Sequence, residues 1–133
     1  MTEKVKEIIF KTNTNEDGNL IAIEQNKDIP FEIKRIFYIF GTKGDKIRGE
    51  HANARSEFVL ISVAGSCKVR THDGKNELFF DLDSPAKGLY LNKLVWKDMY
   101  EFSPDCVLLV VTNELYDPSE YILNYEKFLK DNS

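Results

Sequence analysis

Metal-ligating and thiol side chains are scarce in this sequence, which has two histidines and two cysteines among 133 residues. Cys67 and Cys106 lack CxxC spacing and lie in apolar runs, so we expect two buried free thiols rather than a disulfide. His72 lies in a turn-forming segment, 72–75, whereas His51 precedes an apolar run, so the two cannot complete a site of two histidines and one carboxylate. The sequence therefore predicts no metal ion, and we expect no other cofactor.

Excess positive charge and long apolar runs are also missing. The 18 basic and 22 acidic residues give a net charge of −4, which argues against the basic surface that nucleic-acid binding needs. No apolar run approaches the ~20 residues of a membrane-spanning helix. Residues 1–7 include acidic side chains and no long apolar stretch, so we expect no secretory signal. These absences predict a cytoplasmic protein that binds neither nucleic acid nor membrane.

The chain shows no internal repeat, linker or low-complexity segment, and we expect a single domain over residues 1–133. Its hydrophobic share of 42% is enough for a core. Short strand-like runs alternate with Gly, Pro, Asn and Asp turn signals, at 20–24, 33–40, 58–63, 67–71, 78–82, 88–91, 99–102 and 107–112. Strands at this spacing, with no helical run between them, predict an antiparallel sandwich or small barrel.

The C-terminus has a different pattern. Asp117-Pro118 provides the N-cap and first-turn chemistry of a helix. Apolar side chains then recur at helical spacing, at Tyr121, Ile122, Tyr125, Phe128 and Leu129. We expect a helix over residues 117–130 that packs against the barrel.

Segment 48–65 combines polar and apolar side chains on one face of a predicted strand. Its odd positions are first polar and then apolar: His51, Asn53, Arg55, Glu57, Val59, Ile61 and Val63. A barrel strand that begins at an open mouth and continues into a packed floor has this pattern. On alternation alone, a solvated polar strand end explains it as well.

A resemblance favours the pocket. His51, Asn53, Glu57 and Gly65 differ at one position from the first cupin motif, His-x-His followed by Glu and Gly. The chain resembles the cupin-type 3,4-ketoisomerases of TDP-4-keto-6-deoxyglucose, in which TDP is thymidine diphosphate. The matching segments include 17–24, 29–31, 33–40, 43–44, 48–52, 65–67, 83–90, 95–96, 102–107 and 116–117.

The resemblance implies an all-β cupin jelly roll with a C-terminal helix, assembled as a homodimer that exchanges N-terminal strands. It also implies a metal-independent isomerase that moves the keto group of the TDP-sugar from C4 to C3 through an enediol. Such enzymes supply 3-amino-3,6-dideoxysugars for surface glycans, including the O-antigen of lipopolysaccharide. His51 matches a family histidine and is the candidate base, since imidazole titrates near neutral pH.

Asn53 departs from the family, which has a second histidine at this position. An amide donates and accepts hydrogen bonds but cannot carry a proton through a catalytic cycle. Three explanations stay open: His51 alone serves both carbons, the chain is a related enzyme or a binder without isomerase activity, or Asn53 is an engineered replacement. We expect the first, with His51 and Asn53 as the catalytic pair.

Cationic side chains are the candidates for binding the substrate. Arg35 and Arg48 match basic positions of the family and suit a diphosphate, because a guanidinium binds two phosphate oxygens at once. Arg55 either adds to this positive field or pairs with Glu57. Lys97 stands where relatives carry His or Arg and, in the family, bears on which face of C4 is protonated.

Two other functions compete with the isomerase. An epimerase-like enzyme would act on the same nucleotide-sugar, although its His–Asp pair and tyrosine acid cannot be located in this sequence. A non-catalytic TDP-sugar-binding cupin is supported by Asn53. Tyr38 has the opposite strand parity to Arg35, so we expect Arg35 to point inward and Tyr38 outward.

Overall fold

The computed structural model describes residues 3–133 and consists almost entirely of antiparallel strands. The elements in chain order are β1 (Val5–Ile9), β2 (Asn13–Asn15), β3 (Gly18–Leu20), β4 (Arg35–Phe40), β5 (Arg48–Asn53), β6 (Phe58–Ala64), β7 (Cys67–His72), β8 (Glu77–Leu82), β9 (Lys87–Leu91), β10 (Trp96–Tyr100), β11 (Val107–Thr112), a 3₁₀ turn (Pro118–Glu120), β12 (Tyr121–Ile122) and α1 (Tyr125–Asn132). The predicted all-β cupin class is confirmed.

Two five-stranded sheets form the barrel. One has the order β1-β9-β6-β11-β4 and the other β12-β5-β10-β7-β8, while β2 and β3 form a separate hairpin. Apolar side chains of both sheets make one core, which includes Leu60, Val69, Leu89, Leu108 and Val110. This arrangement is that of a sandwich whose inner faces interdigitate.

Strand β6 is apolar on both faces because both of them are covered. Phe58 and Leu60 point into the core between the sheets. Val59 and Ile61 pack on the opposite side, beneath Ile29 and Phe31 of the segment that leads into β4. A strand buried on both faces carries a continuous apolar run rather than an alternating one.

The C-terminal helix begins at Tyr125, so the prediction of a helix over 117–130 was wrong in its first half. Asp117 caps only a 3₁₀ turn, since its side chain accepts from the amide of Ser119. Tyr121 and Ile122 then extend to pair with Asn53 and Ala52 of β5. Asn124 caps α1, accepting from the Lys127 amide at 2.9 Å.

Helix α1 closes the outer face of the second sheet, as the sequence pattern predicted. Phe128 is fully buried beside Ala52 and Trp96. The rings of Trp96 and Tyr125 lie 5.0 Å apart between centroids. No helix within residues 3–133 is long and apolar enough to cross a membrane. Cys67 and Cys106 are buried free thiols, as expected.

Candidate active site

A cavity of about 360 Å³ opens between the two sheets, next to β5 and β10. Most of its wall is apolar, and its polar groups come from four side chains. The lining residues are Phe37, Ile39, Arg48, Gly49, His51, Phe58, Leu60, Lys97, Met99, Val110, Tyr121 and Leu123. An apolar concave site with a few convergent polar groups is the usual form of a small-molecule site.

His51 presents one ring nitrogen for proton transfer. Its Nδ1 lies 2.9 Å from the carbonyl oxygen of Gly49. Because a carbonyl only accepts, Nδ1 carries the hydrogen and Nε2 keeps a free lone pair. Burial and the nearby Lys97 lower the pKa of His51 to about 4. The imidazole is therefore neutral at pH 7, which is the form a base requires.

Tyr121 fixes the plane of this imidazole. The two rings stack with centroids 4.5 Å apart and an interplanar angle of 19°. Tyr121 is brought there by the pairing of β12 with β5, where it lies opposite Asn53. Its position in the sequence fits the predicted helical stripe, so the sequence pattern assigned it to packing and missed it as part of the site.

Glu120 anchors the segment that carries Tyr121. Its carboxylate accepts from the backbone amides of Arg55 and Ser56, both at 2.9 Å, and from the Ser56 hydroxyl. Burial opposes the ionisation of Glu120, but these hydrogen bonds outweigh it and lower the pKa of the carboxyl group. Glu120 was also missed, because a buried glutamate has no signature in a single sequence.

Lys97 is a buried amine on the wall of the cavity. Only 4% of the residue is exposed, and it lies directly opposite His51 in the β10–β5 register. Its Nζ lies 4.1 Å from the centre of the Phe58 ring. Burial lowers the pKa of Lys97 to about 7, although the carboxylate of Glu120 acts in the opposite direction.

Asn53 lies behind the cavity wall rather than on it. It is 1% exposed, and its Oδ1 accepts from Lys97 Nζ at 3.1 Å. Its Nδ2 has no hydrogen-bond partner within residues 3–133. Besides this hydrogen bond with Lys97, the Asn53 side chain acts on two neighbours, opposing the low pKa of His51 and contributing to the low pKa of Glu120.

The three predicted arginines occupy different places. Arg48 lines the cavity. Arg35 shares the inner face of β4 with Phe37 and Ile39, and its guanidinium lies 4.9 Å from the Phe37 ring centre and 5.6 Å from that of Tyr116.

The prediction that Arg35 points inward and Tyr38 outward is confirmed. Arg35 lies on the partly buried face of β4, whereas Tyr38 on the other face is 62% exposed. Arg55 does not line the cavity and pairs with Asp117 at 2.8 Å, rather than with Glu57. Glu57 instead accepts from the Tyr90 hydroxyl and from Asn113 Nδ2. The structure thus brings His51, Lys97 and Arg48 together, with Arg35 on β4 of the other sheet.

The predicted floor of the pocket, Val59, Ile61 and Val63, was wrong. Strand β5 ends at Asn53 and β6 begins at Phe58, and the two strands belong to different sheets. The chain turns between them, so the alternation does not continue from one strand to the next. Phe58 and Leu60 therefore line the cavity.

Comparison with known proteins places this site in a family. The model of the FdtA family (WxcM-like, C-terminal) matches residues 3–133. The chain belongs to this family. It is 48% identical over 125 residues to a TDP-4-oxo-6-deoxy-alpha-D-glucose-3,4-oxoisomerase of Aneurinibacillus thermoaerophilus, covering 94% of this chain and 90% of the relative. The family predicted from the sequence is confirmed.

Solved structures of family members have the same fold. WlaRA, a TDP-fucose-3,4-ketoisomerase from Campylobacter jejuni, is 44% identical with a TM-score of 0.93, covering 98% of this chain and 97% of its own. The 3,4-ketoisomerase QdtA from Thermoanaerobacterium thermosaccharolyticum is 39% identical with a TM-score of 0.94, covering 99% and 96%. A histidine-to-asparagine mutant of QdtA was solved in complex with TDP-4-keto-6-deoxyglucose.

Proposed function

We propose that this chain is an isomerase that moves the keto group of TDP-4-keto-6-deoxyglucose from C4 to C3. The observation that carries the proposal is His51, a neutral imidazole on the wall of an apolar cavity that also holds Arg48 and Lys97. The 48% identical relative is named for the same reaction. The predicted enzyme class agrees with the solved relatives, which are 3,4-ketoisomerases.

The chemistry requires removal of the proton on C3, an enediol, and delivery of a proton to C4. The free Nε2 of His51 is the base for the first step and, once protonated, the acid for the last. Because C3 and C4 are adjacent, one imidazole on one face of the sugar serves both carbons. Asn53 is then not needed as a second base for proton transfer at C3 or C4.

Binding of the diphosphate is assigned to arginine side chains. Arg48 borders the cavity, and Arg35 lies on the inner face of β4, an edge strand of the other sheet. Both offer the planar donors that suit phosphate oxygens. Arg55 would have to leave its ion pair with Asp117 to join them.

The test is proton exchange followed by NMR. TDP-4-keto-6-deoxyglucose is incubated with the protein in D₂O, and we expect loss of the C3 proton signal together with a 3-keto product. His51→Asn should lower turnover by ~10³-fold or more, in line with the loss of a general base. His72→Asn is the matched control, because His72 lies outside the cavity and accepts from the Gly74 amide. Absence of both exchange and product with the wild type would contradict the proposal.

A non-catalytic TDP-sugar-binding protein is the second candidate, and Asn53 is the observation that favours it. It predicts that TDP raises the melting temperature while no keto sugar is converted. An epimerase-like enzyme would instead return a product with the keto group still on C4. The same NMR experiment separates all three outcomes.

We further propose that the chain forms a homodimer with exchanged N-terminal strands. We also propose that its product is an intermediate in the biosynthesis of 3-amino-3,6-dideoxysugars for surface glycans. Within one chain β1 pairs with β9 at the edge of its sheet, so the same pairing between two chains needs only a different path after Ile9. The outer face of β4 exposes Ile36, Tyr38 and Phe40, and apolar surface of this kind is typical of protein contacts. The cytoplasmic location and the absence of a metal stay predictions from the sequence.

A further inference from the structure

The cavity contains a second side chain that can carry a proton. We propose that Lys97 shuttles protons between the two oxygens of the substrate, giving one to the C4 oxygen and taking one from the C3 hydroxyl. The inference rests on the isomerase function proposed above. It assigns to an amine on β10 the proton transfer that Asn53 cannot perform.

The placement of Lys97 supports a reactive role. Directly opposite residues of an antiparallel pair point to the same face, and Lys97 is opposite His51, beside a register shift between Lys97 and Asp98. Both side chains line the same cavity. Two proton carriers are therefore available on one wall, as a reaction on adjacent carbons and their oxygens requires.

The surroundings of Lys97 leave its amine free of a carboxylate partner. None of the ion pairs formed by residues 3–133 includes Lys97. The charged group that acts on its pKa is Glu120 of the 3₁₀ turn, and the titratable group across the register is His51 of β5, whose own pKa Lys97 lowers. A solvated structural lysine would keep a high pKa, whereas burial brings the pKa of Lys97 to about 7. Such an amine both donates and accepts protons near neutral pH.

Asn53 holds the amine in place. Its Oδ1 accepts one of the three Nζ hydrogens at 3.1 Å, which leaves two hydrogens for other partners. Asn53 is thus a positioning residue in this chain. The proton carrier has moved from position 53 to the neighbouring strand.

The proton balance closes with these two groups. In the first step the C3–H bond breaks, its proton goes to His51 Nε2, and the C4 oxygen takes a proton from the Lys97 ammonium to complete the enediol. In the second step the C3 hydroxyl returns a proton to the Lys97 amine, the C3 carbonyl forms, and C4 takes the proton from the His51 imidazolium. His51 ends neutral and Lys97 ends protonated, as both began.

The test compares three variants in the NMR assay for the 3-keto product. Lys97→Met keeps an unbranched side chain of similar length and removes the amine, while Lys97→Arg keeps the charge but cannot release a proton near neutral pH. We expect each to lose turnover by ~10²-fold or more. In the double variant Asn53→His with Lys97→Met, the proton carrier returns to position 53, and we expect turnover at least ~10-fold above Lys97→Met alone.

The binding of TDP, measured as a shift in melting temperature, verifies that each variant is folded and retains its cavity. If the wild type isomerises the sugar and Lys97→Met or Lys97→Arg stays within ~3-fold of it, the role of Lys97 is refuted while the proposed function stands. If both single variants lose turnover and the double variant does not restore it, the shuttle is also overturned, since that result would indicate that Lys97 only packs in the cavity wall. A wild type that forms no product would refute the proposed function itself.

Discussion

At the scale of single residues, His51 and Lys97 share one wall, and the charge of Lys97 contributes to the low pKa of His51. Burial acts on both, lowering the pKa of His51 to about 4 and that of Lys97 to about 7. Between these values His51 is neutral and Lys97 is protonated, which is the state in which the proposed cycle begins. When the environments of two titratable groups push their pKa values apart in this way, the group with the lower pKa is the base and the group with the higher pKa is the acid.

The pH dependence of kcat/KM follows from this pair. Activity should rise as pH increases through about 4, where His51 loses its proton, and fall as pH increases through about 7, where Lys97 loses its own. The measurement is an initial-rate profile from pH 4 to 10 with the folded state verified at each point. A profile that stays flat from pH 6 to 9 would contradict the requirement for a protonated Lys97.

Burial of Lys97 also predicts how stability depends on pH. In the unfolded chain this lysine is solvated and keeps its proton up to the ordinary lysine pKa of 10.5, whereas the folded chain releases the proton at about 7. The unfolded state therefore holds more protons between these values, so the free energy of unfolding rises with pH across this window, by at most ~1.4 kcal/mol per pH unit.

Lys97→Met removes this dependence. Urea unfolding of wild type and variant at pH 7, 8.5 and 10 should show the wild type gaining stability relative to the variant as pH rises. Lys93→Met is the control, because Lys93 is exposed and outside the cavity. An equal pH response of wild type and Lys97→Met would indicate that Lys97 is solvated.

At the scale of elements, the short strand β12 decides the geometry of the base. It is only two residues long, yet it brings Tyr121 onto the imidazole of His51. Its position depends on Glu120, which ties the 3₁₀ turn to the link between β5 and β6. The C-terminal segment is therefore part of the site as well as a cover for the barrel.

Glu120→Gln should disturb both stability and turnover. A neutral amide weakens three hydrogen bonds to a buried carboxylate, and we expect a loss of about 1–3 kcal/mol in the free energy of unfolding. Displacement of Tyr121 should lower turnover ~10-fold or more. Urea unfolding and the NMR assay measure the two effects.

Two further variants separate the loss of the ring stack on His51 from the loss of the hydrogen bonds to Glu120. Tyr121→Leu keeps the β12 pairing but removes the ring stack, so it should lower turnover with a smaller loss of stability. Glu126→Gln on the exposed face of α1 is the matched control and should change neither. Full activity of Tyr121→Leu would show that stacking does not orient His51.

At the scale of the whole molecule, exchange of β1 can be tested by a designed disulfide. Ile9 of β1 lies opposite Lys87 of β9, and the native thiols Cys67 and Cys106 are buried and cannot interfere readily. In the variant Ile9→Cys with Lys87→Cys, exchanged strands should give a covalent dimer on a non-reducing gel. Each single variant serves as the control, and a covalent monomer from the double variant would refute the exchange.

Local patterns in the sequence were enough for most of the central strands, the barrel class, the buried thiols and the inward direction of Arg35. These features depend on alternation and turn chemistry within a few residues. The stripe at Tyr125, Phe128 and Leu129 was predicted correctly for the same reason. The helix start was not, because Tyr121 and Ile122 satisfy both helical spacing and a pairing with β5. The predicted strand at 20–24 was also wrong, because β3 ends at Leu20 and residues 21–24 form no strand.

By itself the sequence determined the family, since an ordered set of motifs suffices for it, and the resemblance to that family in turn favoured the placement of His51 in a cavity. Only the tertiary structure decided that Lys97 faces His51, that Asn53 reaches Lys97 across 44 residues of sequence, and that β6 turns Phe58 and Leu60 inward. These features depend on the register between strands that are distant in sequence, and on the turn by which the chain passes from β5 in one sheet to β6 in the other. Neither is encoded in the spacing of neighbouring residues.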